Sequence, residues 1–77
     1  MNAENMIVIA AFYKFVSCPD FADLQAPLLA CCKQAETFGT LLLASEGING
    51  TIAGPRAGID AVLGHITSLP GFADLEH

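Results

Sequence analysis

The sequence predicts an α+β fold whose elements follow the order β-α-β-β-α-β. Two amphipathic helical stretches alternate with three apolar stretches that are rich in β-branched residues. A glycine-rich turn joins the second and third apolar stretches, which is typical of a β-hairpin. Both helices would bury their apolar sides on one face of an antiparallel sheet, which is the ferredoxin-like plan. Residues 72–76 are expected to begin the last strand, which would be truncated.

Length and composition limit the chain to a single small domain. It has 77 residues, of which 53% are hydrophobic and 14% are charged, a balance typical of a folded chain. The net charge of −5 would repel a polyphosphate, so independent nucleic-acid binding is not expected. The chain has neither an apolar run long enough to span a bilayer nor a recognisable signal peptide. We therefore expect a cytoplasmic protein that does not contact membranes.

The first strand is predicted at residues 6–15, an apolar run with β-branched and aromatic residues. Tyr13 and Lys14 carry its only polar side-chain groups, which suits a strand that is buried on at least one face and central in its sheet. The following residues break this pattern and end in Asp20, a residue type that caps helices.

The first helix is predicted after Asp20, with Asp23 placed to interact with its positive N-terminal dipole. Pro27 would kink a helix interior, so regular helix is expected to begin later than Asp20. Gly39 is expected to end the helix. The apolar face of this helix recurs at spacings of three and four residues and consists of Leu24, Leu28, Cys31, Ala35 and Phe38.

A hairpin and a second helix complete the predicted elements. Residues 40–44 and 48–53 are short apolar strands, and residues 45–47 form the tight connection between them. Pro55 suits the first position of the second helix, which is expected to run to about residue 68. Its apolar stripe consists of Ile59, Val62, Leu63 and Ile66.

The hairpin contains the most distinctive motif of the chain, SEGINGTIAG at residues 45–54. Its glycines permit positive φ or the close approach of another group, and Asn49 tolerates the left-handed region. Together with FYKF at 12–15, FG at 38–39 and PGF at 70–72, this motif resembles the N-terminal domain of the rhodanese-related tRNA uridine hydroxylase family. That bacterial group was formerly classed as rhodanese-domain sulfurtransferases.

The resemblance covers most of the chain and implies an acylphosphatase-like fold. It implies that residues 1–77 are a single N-terminal domain, with a rhodanese domain downstream and outside this sequence. The activity it implies for the whole protein is oxygen-dependent formation of 5-hydroxyuridine at the wobble position of tRNA, with the catalytic cysteine in the rhodanese domain. No cysteine of this chain corresponds to that residue. We therefore expect a non-catalytic accessory domain that binds no cofactor and no metal.

A polar corner is predicted where the end of the first strand meets the hairpin turn. It consists of Lys14, Glu46, Gly47, Asn49 and Gly50. A lysine, a carboxylate, a carboxamide and backbone N–H groups could bind a small anion or the backbone of a partner. An ordinary hairpin turn with a surface ion pair has the same composition. We hypothesise that the corner contacts the downstream rhodanese domain and helps to shape the tRNA site of the intact protein.

Cysteine and histidine residues give no catalytic constellation. Cys18, Cys31 and Cys32 show no CxxC spacing and are interpreted as free, buried or half-buried thiols. Of these, Cys18 is the one that a loop position could expose. His65 has no histidine or cysteine three or four residues away and is interpreted as a solvated surface residue.

An RNA-recognition sheet with stacking aromatics is not favoured by the sequence. Alternation along the first strand is expected to direct two of Phe12, Tyr13 and Phe15 towards the helices as core residues. The acidic net charge argues in the same direction.

Two other classes of function remain open. A stand-alone ligand-binding or oligomerisation module would require an exposed apolar sheet face. An acylphosphatase-type hydrolase would combine Asn49 with an arginine in the loop after the first strand, but residues 16–20 contain no arginine. Lys14 is a point charge that cannot reproduce a bidentate guanidinium clamp on phosphate. The accessory-domain hypothesis is therefore preferred.

Overall fold

The computed structural model describes residues 7–75 and confirms the predicted α+β fold. The elements are β1 (Val8–Phe15), α1 (Phe21–Gln34), β2 (Phe38–Ala44), β3 (Gly47–Gly54) and α2 (Arg56–Thr67). The strands form one antiparallel sheet in the order β1-β3-β2. None of the described helices is both long and apolar enough to cross a membrane.

The register of the central strand assigns every strand residue to one of two faces. Phe12 pairs with Gly50, and Leu43 pairs with Ile48, so these residues share the helix-facing side of the sheet. The opposite side, which we call the open face, carries no element among residues 7–75. The open face consists of Ile9, Ala11, Tyr13 and Phe15 on β1, Gly47, Asn49, Thr51 and Ala53 on β3, and Phe38, Thr40, Leu42 and Ala44 on β2.

The core lies between the sheet and the two helices. The second helix provides its centre, because Ile59, Val62 and Ile66 are fully or almost fully buried, as its predicted stripe requires. In the first helix only Leu28 is fully buried, and its other apolar residues are half-buried or exposed. The remaining buried apolar residues are Phe12, Cys18, Leu43, Ile48, Ile52, Phe72 and Leu75.

The first helix begins directly after Asp20, so the prediction that Pro27 delays it is wrong. Pro27 lies inside the helix and is exposed. Its missing N–H leaves the carbonyl of Asp23 without an intrahelical donor, but Asp23 is also exposed, so solvent can satisfy that carbonyl. Asp20 occupies the N-cap position without a side-chain capping hydrogen bond.

The first helix ends at a Schellman motif rather than at Gly39. Glu36 has φ 60°, its N–H donates to the Lys33 carbonyl, and Thr37 N–H donates to the Cys32 carbonyl. Glu36, rather than a glycine, therefore adopts the left-handed conformation that turns the chain into β2. Gly39 lies within β2, and Phe38 is exposed on the open face, so both predictions for these two residues are wrong.

The predicted last strand is not formed by residues 72–75, which make turns. Phe72 and Leu75 instead bury their side chains in the core. Within the described part of the chain, β1 is therefore an edge strand and not the central strand that its apolar sequence predicted. Residue 6, where the first strand was predicted to begin, and residue 76 lie outside the described residues.

Replacing each of two glycines of the second helix with alanine should change the stability of the domain in opposite directions. A Cβ on Gly58 would lie 2.1 Å from the Ala35 carbonyl oxygen, whereas a Cβ on Gly64 would have no neighbour within 4 Å. We expect Gly58→Ala to lower the free energy of unfolding by about 1–3 kcal/mol, because the helices must separate. Gly64→Ala should raise it by about 0.5–1 kcal/mol through helix propensity. Urea denaturation measures both, and effects of the same sign would contradict the packing described.

The left-handed residue at the end of the first helix offers a second test of the backbone. Glu36→Gly should raise the free energy of unfolding by about 1 kcal/mol, because glycine adopts positive φ without strain. Gln34→Gly, two residues earlier and still helical, is the control and should lower it by about 1 kcal/mol. A destabilising Glu36→Gly would show that its side chain stabilises the helix end.

Candidate functional site

The hairpin turn lies beside the end of β1, as the predicted polar corner requires. In the sheet register Lys14 pairs with Ile48 and Phe15 pairs with Gly47. Beyond the strand, Val16 N–H donates to the Glu46 carbonyl at 3.0 Å and Cys18 N–H donates to the Ser45 carbonyl at 2.8 Å. These bonds extend the pairing of the two segments to the tip of the turn.

The side chains of the corner, however, do not form one cluster. Lys14 lies on the helix-facing side, where its Nζ bonds Asp74 Oδ2 at 3.0 Å. Asn49 lies on the open face between Tyr13 and Leu42, its two partners in the register. Glu46 is exposed in the turn. The alternation of the strand therefore divides the predicted corner between opposite faces of the sheet.

The two glycines of the corner have a packing role. Gly47 has φ 137°, and a Cβ there would lie 2.0 Å from the Lys14 carbonyl oxygen. A Cβ on Gly50 would lie 2.7 Å from the Thr40 carbonyl oxygen and 3.2 Å from the Phe12 ring. Both positions therefore require glycine for the close approach of neighbouring strands.

The loop after β1 is not arranged as an anion cradle. The N–H groups of Val16 and Cys18, which could face a phosphate, donate instead to the hairpin turn. Lys14, the only cation near this loop in the described structure, is paired with Asp74. This geometry gives no support to an acylphosphatase-type site.

The ion pair between Lys14 and Asp74 joins the end of β1 to the segment that follows the second helix, whose Phe72 and Leu75 are buried in the core. The hydrogen bond from Lys14, then a backbone hydrogen bond and the lysine charge, hold the pKa of Asp74 below its ordinary 3.8. The side chain of Lys14 is 27% exposed and that of Asp74 is 75% exposed, so the pair is largely solvated. It therefore adds little to the burial of Phe72 and Leu75, which holds residues 72–75 against the core.

The three cysteines are free, as predicted, but Cys18 is buried and not exposed by its loop. Cys31 and Cys32 are half-buried. Burial, and to a lesser extent the neighbouring Cys32, raises the pKa of the Cys31 thiol above 9.0, which keeps it protonated and poorly nucleophilic at neutral pH. Over residues 7–75, no group of three histidine, cysteine, aspartate or glutamate side chains is placed to hold a metal ion.

His65 is not the solvated residue that the sequence predicted. It is half-buried, and its Nε2 is enclosed without a hydrogen-bond partner among the described residues. The sequence places His65 one position away from the apolar stripe of the second helix, which indicated an exposed side chain. The last turn of this helix is packed more closely than that position indicated.

The open face is the largest feature that the sequence reasoning missed. Only Phe12 of the three β1 aromatics faces the helices, whereas Tyr13 and Phe15 lie on the open face, contrary to the prediction. Their rings are 5.9 Å apart. The sequence did contain a signal for this exposure. Polar residues do not occur at every second position of β1, so apolar side chains are expected on both faces of the strand.

The exposed side chains of the open face surround a shallow depression. Its volume is about 650 Å³, and its lining includes Tyr13, Thr40, Asn49 and Thr51. A second, smaller depression of about 160 Å³ continues towards Glu46 at the hairpin turn. The candidate site is therefore this face and the adjoining turn.

The chain is similar to a described domain family over almost its whole length. Residues 7–77 match the family model described as UPF0176 acylphosphatase like domain. The relatives named tRNA uridine(34) hydroxylase include proteins of Albidiferax ferrireducens, 60% identical over 68 residues, and Rhizobium etli, 61% identical over 70 residues. Another, from Sinorhizobium fredii, is 52% identical over 76 residues.

These alignments cover most of this chain but a small part of each relative. They include 88%, 91% and 99% of the chain, respectively, and 21%, 23% and 24% of the relatives. The chain thus spans less than a quarter of the length of the curated relatives it matches.

The hydrogen bond from Lys14 should determine how far the pKa of the Asp74 carboxyl group is lowered. In Lys14→Met we expect the pKa of Asp74 to rise towards 3.8, because the stabilising donor is lost. The stability that the pair provides is present above pH 3.8 and is lost as the pH falls through the lowered pKa of Asp74. The free energies of unfolding of the unsubstituted protein and of Lys14→Met should therefore become equal in acid. Carboxyl NMR shifts measure this, with Lys33→Met as the control. An unchanged midpoint in Lys14→Met would contradict the pairing.

Proposed function

Because the chain belongs to the family of the UPF0176 acylphosphatase like domain, we propose that it is an accessory domain of a tRNA uridine(34) hydroxylase. The observation that carries this proposal is the identity of 52–61% with relatives of that name. Since the chain spans only 21–24% of them, most of such a protein lies outside this domain. We assign the reaction to that remainder, which in our proposal includes a downstream rhodanese domain.

A non-catalytic role is supported by the chemistry of the described residues. Among residues 7–75 no polar or charged residue is buried as a whole, and the enclosed Nε2 of His65 does not belong to a group of titratable side chains placed to bind a metal. The thiol of Cys31 has a raised pKa, and Cys18 is enclosed in the core. These thiols are suited to packing rather than to nucleophilic chemistry.

Contact with tRNA is proposed to depend on the intact protein. The domain carries a net charge of −5. Two of its cations lie beside carboxylates, since Lys14 is 3.0 Å from Asp74 and Arg56 is 4.0 Å from Asp60. The phosphates of the tRNA would therefore be neutralised elsewhere in the protein. A cytoplasmic location, where tRNA is modified, belongs to the same proposal.

Within the polar corner we propose different tasks for its residues. Glu46 and Asn49 are exposed and available to contact the rhodanese domain or the tRNA site. Lys14 joins the end of β1 to the segment after the second helix through Asp74. Gly47 and Gly50 permit the strand spacing that places Asn49 on the open face.

Self-association is a second candidate function, and the exposed apolar sheet face is the observation that favours it. A stand-alone oligomerisation module would bury this face against a second copy. The copies would each carry a charge of −5, which opposes their association at low salt. Sedimentation over a range of concentrations distinguishes the two candidates.

The accessory role predicts that Asn49 affects binding more than chemistry. In the full-length protein, Asn49→Ala should raise the KM for tRNA several-fold and leave kcat nearly unchanged, because the carboxamide does not contact reacting atoms. Hydroxylation of uridine 34 is measured by mass spectrometry of digested tRNA. Gln34→Ala removes a carboxamide at another exposed position and is the matched control.

The outcomes of this experiment separate the possible roles. A large fall in kcat with Asn49→Ala would indicate a catalytic role and contradict the proposal. Absence of uridine 34 hydroxylation by the unsubstituted protein would contradict the assigned reaction.

A further inference from the structure

The aromatic side chains of the open face lie around a polar centre. Tyr13 and Phe15 of β1 are 53% and 77% exposed, and Phe38 of β2 is 65% exposed. Asn49 and Thr51 of β3 lie between the two outer strands and are also exposed. The face therefore presents flat apolar surfaces beside hydrogen-bonding groups, whereas the solvent-facing side of an antiparallel sheet is normally polar throughout.

The two aromatic rings of β1 are arranged so that each can receive a planar group. Their centroids are 5.9 Å apart and their planes are tilted by 52°, so Tyr13 and Phe15 do not lie face to face. They follow each other on the same side of one strand. Two successive planar groups of a ligand can therefore stack on them, one on each ring.

The polar groups at the centre of the face are available to a ligand. Over residues 7–75, no side-chain hydrogen bond involves Thr40, Asn49 or Thr51. These three side chains and Tyr13 line the depression of about 650 Å³, a volume in the range of ligand sites. A purely apolar partner would cover these groups and leave them unpaired, which costs free energy. The occupant should therefore combine planar rings with hydrogen-bonding edges.

Nucleobases have this combination of properties. Each base has a flat face that stacks on aromatic side chains and an edge with donors and acceptors. The carboxamide of Asn49 has two N–H donors and an acceptor oxygen in one plane, so it can pair with such an edge. In the sheet register Asn49 lies opposite Tyr13, which places the carboxamide beside the stacking surface.

We propose that the open face binds unpaired bases of the anticodon loop of tRNA, which stack on Tyr13 and Phe15 while Asn49 bonds a base edge. This inference rests on the proposed function, in which the domain belongs to a tRNA uridine(34) hydroxylase. The wobble position lies in the single-stranded anticodon loop. Recognition of RNA loops relies on bases that are splayed out, stacked on aromatic rings and bonded at their edges.

Base stacking was not expected from the sequence, because two of the three β1 aromatics should face the helices. In the structure only Phe12 does so, and Tyr13 and Phe15 lie together on the open face. Exposed aromatic residues on an antiparallel sheet form a platform on which RNA-binding domains stack two or three bases. The exposure of these rings therefore supplies the feature that the sequence reasoning found missing.

The charge of the open face is compatible with bases and requires the phosphates to be bound elsewhere. None of the open-face residues is charged, so the acidic residues of the described chain lie outside this face. Single-stranded RNA also needs a positively charged groove along its backbone. In the proposed function that groove belongs to the remainder of the protein. The domain thus contributes the base contacts of a site that is incomplete without that remainder.

The affinity of the full-length protein for a hairpin RNA with the anticodon loop tests the proposal. Phe15→Leu retains an apolar side chain but removes the ring, so it should weaken binding about ten-fold, the scale of one lost base stack. Phe15→Tyr retains a ring and should bind like the unsubstituted protein. Leu29→Ala is the control, because Leu29 is 57% exposed but lies on the first helix. It should leave the affinity unchanged.

The salt dependence of the same affinities separates a lost base stack from a lost phosphate contact. Phe15→Leu should weaken binding equally at every salt concentration, because the slope of log Kd against log salt counts neutralised phosphates. A change of this slope would overturn the proposal. Equal affinities of Phe15→Leu and the unsubstituted protein would also overturn it. So would an equal loss of affinity for a fully paired RNA of the same length, whose bases cannot stack on the protein.

Hydroxyl-radical footprinting of the unsubstituted full-length protein is a test that requires no variant to fold. Tyr13 and Phe15 should react without RNA and become protected several-fold when the hairpin RNA is bound. Protection that is already complete without RNA would show that another segment of the protein or a second copy covers the open face. Full reactivity at saturating hairpin RNA would show that the bases do not contact it. Either result would overturn the proposal.

Hydroxylation of uridine 34, measured on the same samples, separates this inference from the proposed function. Its absence while the RNA protects both rings would contradict only the assigned reaction. Its presence while both rings remain reactive with bound tRNA would contradict only the base-binding face.

Discussion

The register of β3 between its two neighbours is the constraint on which the rest of the structure depends. A strand has a side-chain period of two, so a slip of one residue would exchange its two faces. The close approach of Gly47 to the Lys14 carbonyl, together with the Val16 and Cys18 N–H bonds to the turn, fixes this register at one end. Ile48 and Ile52 then enter the core, and Asn49 and Thr51 enter the open face.

The two faces of the sheet differ in a way that connects structure with function. On the helix-facing side, Phe72 and Leu75 bury the segment after the second helix in the core, and the ion pair of Lys14 with Asp74 lies at its border. On the other side, the sheet exposes aromatic and aliphatic side chains without a charge. The domain thus buries one apolar face of its sheet beneath the helices and leaves large apolar side chains exposed on the other face.

The candidate site shows where reasoning from the sequence succeeds. SEGINGTIAG at residues 45–54 identified the hairpin, because turn residues act locally. The ferredoxin-like order of the elements then placed its turn beside the end of β1. The apolar stripe of the second helix was predictable from its spacing, since Ile59, Val62 and Ile66 repeat at the helical period. The distribution of Lys14 and Asn49 to opposite faces was not predicted, because it depends on how the strands align.

The sequence by itself determined the α+β class, the order of the first five elements, the hairpin and the core stripe of the second helix. Each of these follows from local propensity and periodicity. Only the tertiary structure decided the position of β1 in the sheet, the pairing of Lys14 with Asp74, the burial of Cys18 and the exposure of Phe15 and Phe38. These depend on contacts between residues far apart in the chain. An apolar side chain on a strand has the same local pattern whether it faces a helix or lies on the open face.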